Sequence, residues 1–81
     1  MRVKVRLFGA PREALGRCEI EEELPSGSTV QDLMDLLMED YPALRSHSGM
    51  IRMAVNRKYV SLEAQLREGD EVAFIPPVGG G

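Results

Sequence analysis

Val3, Val5 and Leu7 alternate with Arg2, Lys4 and Arg6. This period of two predicts a strand with one face inward and a basic face outward. Gly9, Pro11 and Gly16 bracket a predicted loop. Cys18, Ile20 and Leu24 then alternate with Arg17, Glu19, Glu21 and Glu23. The second predicted strand therefore has a mainly acidic outer face, and Cys18 falls on its inward phase. A basic strand beside an acidic one reads as an antiparallel pair with matched charges across it. Each exposed pair contributes only about 0.2–1 kcal/mol, so the matching sets register more than stability.

Pro25-Ser26-Gly27 is a turn, and Ser28 and Thr29 are both competent helix N-caps. Ser28 with Gln31, or Thr29 with Asp32, has capping-box spacing. Val30, Leu33, Met34, Leu37, Met38 and Tyr41 recur at helical spacing, with Asp32, Asp35, Glu39 and Asp40 on the wet side. Pro42 ends this helix because it forces Tyr41 out of the helical region. Ala43 to Gly49 reads as polar loop. Ile51 to Val55 is a third strand. Asn56 tolerates a positive φ, so Asn56-Arg57 reads as a hairpin turn into a short strand, Lys58-Tyr59-Val60. In the following connection Leu62 and Leu66 are the residues expected to plug the core. Glu68-Gly69-Asp70 is a turn, and Glu71 to Ile75 is the last strand.

The order is strand, strand, helix, strand, short strand, strand. The sheet must bury one face, and the helix stripe is the element available to cover it. The first and last strands carry strong apolar runs and belong at the centre, parallel to each other. An α+β chain of this kind is a β-grasp, or ubiquitin-like, fold: a mixed sheet of four to five strands packed on one main helix. We expect one domain over residues 1–77 and a flexible glycine tail over 78–81.

Composition narrows the function. Eighty-one residues with 43% apolar content support one modest core. A net charge of −3 offers no basic field for phosphates, which disfavours nucleic acid. One Cys and one His cannot assemble a zinc site from soft ligands, and a lone Cys suits a reducing compartment. The start of the chain lacks a signal-peptide pattern and no apolar run approaches a membrane span. We expect no membrane association, no bound cofactor or metal, and a cytoplasmic location. No nucleophile–base pair or phosphate loop is present in the sequence. Glu21-Glu22-Glu23 reads as a solvated strand face, Cys18 as core, and His47 as surface decoration. Met34, Met38, Met50 and Met53 read as gap fillers.

The chain's last segment stands apart. Val72 to Ile75 is a stiff apolar run; Pro76 and Pro77 hold the exit extended, Val78 follows, and Gly79, Gly80 and Gly81 have no side chains. Residues 76–81 reach roughly 20 Å when extended. Without Cβ atoms, the glycines can enter a narrow channel and offer a free α-carboxylate there. If Val72 and Phe74 face the core, Ile75 faces away from it. Ile75, Pro76 and Val78 then continue an apolar patch toward the tail, with Phe8 and Tyr59 as neighbours and Arg12 and Arg57 as rim charges that steer an acidic partner.

Leu7-Phe8-Gly9-Ala10-Pro11-Arg12-Glu13, Gly27-Ser28-Thr29-Val30-Gln31-Asp32-Leu33, Ala54-Val55-Asn56, and Leu66 to Val78 followed by Gly80-Gly81 cover most of the chain. Together they resemble the sulfur-carrier proteins that form the small subunit of molybdopterin synthase. The C-terminal block is the specific part of the resemblance. Gly79 departs from it, standing where relatives often carry Ser, Ala or Thr.

This resemblance implies a chemistry for Gly81 and Gly80. An E1-like enzyme would spend ATP to make an acyl-adenylate on the Gly81 carboxylate, and a sulfur-donor enzyme would displace AMP to leave a thiocarboxylate. The tail, from Ile75 through Pro76, Pro77, Val78 and Gly79, would enter the large subunit of molybdopterin synthase, in an expected heterotetramer. There it would give sulfur to a cyclic pterin precursor. The chain would be a carrier and not an enzyme on its own. The alternatives are a carrier for thiamin thiazole or tRNA thiolation, a ubiquitin-like modifier of lysines, and a binding module with an inert tail.

Overall fold

The strands nearest the two ends of the chain lie side by side at the centre of the sheet. In this computed structural model, which describes residues 1–45 and 52–75, β1 (Arg2–Leu7) pairs parallel with β5 (Glu71–Ile75). Between them in sequence come α1 (Gly9–Leu15), β2 (Glu19–Glu23), α2 (Val30–Asp40), β3 (Arg52–Val55) and β4 (Lys58–Tyr59). Among the described residues the sheet has five strands in the order β2-β1-β5-β3-β4, and only the β1–β5 contact is parallel. This is the expected α+β, β-grasp arrangement.

The periodicities explain the core. Val3, Val5, Leu7, Ile20, Met53, Val72 and Phe74 point inward from the strands and meet Val30, Leu33 and Leu37 of α2. Each side chain of this size contributes about 1.5–3 kcal/mol by leaving water. Thr29, not Ser28, caps α2: its hydroxyl accepts from the Asp32 N–H at 3.2 Å, and its own N–H donates to the Asp32 carboxylate at 2.9 Å. Tyr41 leaves the helix at φ −130° and ψ 78°, as Pro42 requires. The Asn56-Arg57 turn has φ of 50° and 74°, the left-handed pair that a two-residue hairpin needs.

Five expectations are corrected. The loop between β1 and β2 is the short helix α1. Gly16 is its left-handed C-cap at φ 65° and Pro11 sits in its first turn, so these residues punctuate a helix. Cys18 is exposed, because β2 begins only at Glu19 and the inward phase acts from there. Glu22 is on that inward phase and only 9% exposed, so the glutamate run is not uniformly solvated. Leu44, in a 3₁₀ turn at residues 42–45, is fully buried. Leu66 plugs the core as expected, but Leu62 is 40% exposed. Ile51, His47 and Met50 lie outside the described residues.

Candidate docking surface

The solvent face of the sheet is built from the outward phases of its strands. The registers align Glu19, Arg6, Ala73, Ala54 and Tyr59 in one row across all five strands. Two alanines at the middle of that row lower the surface. The taller neighbours Phe8, Ile75 and Tyr59 stand around them, and the result is a groove of about 380 Å³. Phe8 is 42% and Tyr59 65% exposed, so both present ring surface to water. Ile75 is half-buried and faces away from Phe74, as its phase predicts.

Charges border the groove. Arg6 Nε lies 3.3 Å from the Glu71 carboxylate. The Arg52 guanidinium sits 6.0 Å from the centre of the Tyr59 ring, a cation–π contact that orients the ring. Arg57 lines the groove and has no ion-pair partner among the described residues. Arg12 is across the Phe8 ridge, in a second depression of about 270 Å³ shared with Cys18 and Glu19. The structure thus brings Phe8, Tyr59, Ile75 and Arg57 together, and puts Arg12 next door. Sequence reasoning missed Ala54, Ala73 and Arg6; small residues on the outward phase of central strands were the available signal.

Pro76, Pro77, Val78, Gly79, Gly80 and Gly81 lie outside the described residues. Their point of departure is known, because Ile75 lines the groove. Among the described residues, Glu22 is the ionisable group whose pKa departs from its ordinary value, and it is inside the fold. Its pKa is raised, chiefly because burial strips water from the carboxylate, then because the Asp40 carboxylate stands beside it. No group of three or more metal-ligating side chains, and no helix long and apolar enough to cross a membrane, occurs among the described residues.

The ThiS family model matches residues 5–81. The molybdopterin synthase sulfur carrier subunit of Mycobacterium tuberculosis is 46% identical over 82 residues, covering all of this chain and 99% of that one. The crystal structure of SAMP1 from Haloferax volcanii, a small archaeal modifier protein, superposes with a TM-score of 0.91 at 28% identity over the full length of both chains. Subunits 1 and 2 of the molybdopterin-converting factor of Helicobacter pylori have been solved as a complex; the matching chain has a TM-score of 0.76 at 26% identity, with each chain fully covered.

Proposed function

The chain belongs to the ThiS family, and from that premise we propose that it is the sulfur-carrying small subunit of a molybdopterin synthase. The observation that carries this reading is the groove between Phe8, Tyr59 and Ile75, apolar on those walls and on its alanine floor and edged by Arg6, Arg57 and Glu71, open to water and adjoining the root of the glycine tail. A self-contained domain gains nothing by exposing such surface beside its own C-terminal segment. A carrier that must seat against a large subunit, with its tail threaded inward, needs both together.

The chemistry follows from the tail. A carboxylate is a poor electrophile, since it carries charge and lacks a leaving group. Attack of the Gly81 carboxylate on the α-phosphorus of ATP, held by an E1-like partner, releases pyrophosphate and gives an acyl-adenylate. A sulfide-equivalent donor then displaces AMP and leaves the thiocarboxylate. Its sulfur is ionised and nucleophilic at neutral pH. Inside the large subunit, exclusion of water and fixed proximity assist its attack on the pterin precursor. ATP belongs to the activating partner and no cofactor belongs to this chain. We assign the work to the cytoplasm and expect a heterotetramer with the large subunit.

One observation favours a second reading. Likeness to SAMP1 over the whole chain is compatible with a protein modifier, whose activated Gly81 is taken by lysine amines. Mass spectrometry of the chain recovered from cells separates the two. Replacement of one oxygen by sulfur at Gly81 supports the carrier; isopeptide ladders in its place support the modifier. Deleting Gly81, or replacing Gly80 by a bulky residue, should abolish pterin dithiolene formation with the melting temperature unchanged. Dithiolene formation by the truncated chain would refute the assignment.

A further inference from the structure

The wall of the groove that carries Tyr59 and Arg57 is the part of the sheet with least support. β4 has two residues, both exposed, and hairpin pairs of this size are marginal on their own. Arg57 occupies the left-handed region at φ 74°, which non-glycine residues avoid unless their surroundings hold them there. What holds this turn is a set of hydrogen bonds centred on Asn56. Its backbone N–H donates to the Glu71 carbonyl at 2.8 Å, and its side-chain Oδ1 accepts from the Glu71 N–H at 3.0 Å. Its Nδ2 donates to Asp70 Oδ1 at 3.0 Å, while Asp70 Oδ2 accepts from the Arg67 N–H at 2.8 Å. The hairpin is thereby clasped to the start of β5, the strand that carries Ala73 and Ile75 to the opposite part of the groove.

We propose that Asn56 is a positioning residue for the docking surface: through Asp70 and the backbone of Glu71 it fixes the Arg57–Tyr59 wall relative to β5, so that the groove is pre-shaped for the large subunit. The inference rests on the docking face proposed above. Asparagine suits the position for three separate reasons. It tolerates φ of 50°, it supplies an acceptor for Glu71, and it supplies a donor for Asp70. Aspartate keeps the first two and loses the third, setting a carboxylate against a carboxylate.

That loss has a designed rescue. In the double variant Asn56→Asp/Asp70→Asn every bond is retained: the new carboxylate accepts from the Glu71 N–H and from the new amide, whose oxygen accepts from the Arg67 N–H. The net charge also stays at the parent's −3. The test is titration of each variant with the purified molybdopterin synthase large subunit, with amide hydrogen exchange measured on the free chain.

Asn56→Asp should weaken binding about tenfold and speed exchange at Lys58 and Val60, the amides bonded back to β3, while exchange in the middle of α2 is unchanged; the double variant should return both to within about twofold of the parent. Parent-like binding by Asn56→Asp overturns the proposal, as does a double variant that stays weak. So does an affinity loss matched by faster exchange throughout α2, which would mark a general loss of stability. Should Asn56→Asp not fold, Asn56→Gly replaces it; glycine keeps the left-handed turn and removes only the side-chain bonds. Tyr59→Ala in the same titration tells the two readings apart. If it binds as tightly as the parent, the docking face itself is wrong; if it weakens binding and Asn56→Asp does not, only the positioning role falls.

Discussion

The two halves of the sheet's outer face share one backbone plan and differ in how far their side chains answer one another. On the β2–β1 half, Arg2 meets Glu23 at 3.6 Å and Lys4 meets Glu19 at 3.3 Å, all well exposed. The outward charges of Arg2, Lys4, Glu19 and Glu23 answer one another across the two strands. On the β5–β3–β4 half, the outward positions are Glu71, Ala73, Ile75, Arg52, Ala54 and Tyr59; Glu71 pairs with Arg6 and Arg52 lies over the Tyr59 ring, but the middle and far edge are apolar, with Phe8 at the margin and Arg57 unpaired among the described residues. The first half is finished as a surface in contact with water. The second is finished only when something covers it, and it is the half from which the tail leaves.

That contrast can be broken at several strengths. The largest effect is expected from Ile75→Lys, which puts a charge on the groove wall. It should cost about 2 kcal/mol or more of large-subunit affinity, roughly thirtyfold, with a melting temperature within a few degrees of the parent. Calorimetry that finds the affinity unchanged would move the docking face elsewhere. Ala73→Leu fills the floor and should weaken the same complex by about 1–2 kcal/mol, whereas Lys4→Leu on the closed half should leave it as it was. Equal losses from the two substitutions would erase the distinction between the halves.

A smaller effect concerns the sheet's inner face, where Glu22 is the exception among apolar neighbours. Burial, and then Asp40, raise its pKa. Between its unfolded and folded values the native chain therefore holds a proton that the unfolded chain has released. The associated stability is fully present below the unfolded value and is lost as pH rises through the folded one. Glu22→Gln should raise the melting temperature at neutral pH by a few degrees and flatten its acid-side slope; thermal melts across that range decide it. The smallest effect is Arg2→Ala, which removes one exposed pair and should alter stability by less than about 0.5 kcal/mol in denaturant titration.

Most of the fold was legible because its signals are local. β1, β5 and the existence of β2 follow from alternation, the start of α2 from a capping box, and the hairpin from the tolerance of Asn56 for positive φ. Failures arose where one residue type serves two ends. Gly16 and Pro11 mark loops and helix termini equally well, so α1 was hidden. Leu44 and Leu62 are isolated leucines with no period around them, and only the packed fold decides which is buried. Glu22 was masked by acidic neighbours although its phase was inward. Cys18 had the right phase but stands one residue before the strand. For the groove, Ile75 was readable from its outward phase, and Phe8 and Tyr59 as its expected apolar neighbours. Its floor was not, because Ala54 and Ala73 become adjacent only through strand pairing. The chemistry assigned to Gly81 came from resemblance, since no periodicity speaks to it.

The central position of β5 also has a mechanical consequence. Any partner that draws the tail into a channel pulls on Ile75 along the strand axis. β5 is hydrogen-bonded on both sides, parallel to β1 and antiparallel to β3. Such a pull loads the two flanking ladders in shear, so their bonds resist together and do not unzip one at a time. The body can then serve as a rigid anchor while its thread is under tension.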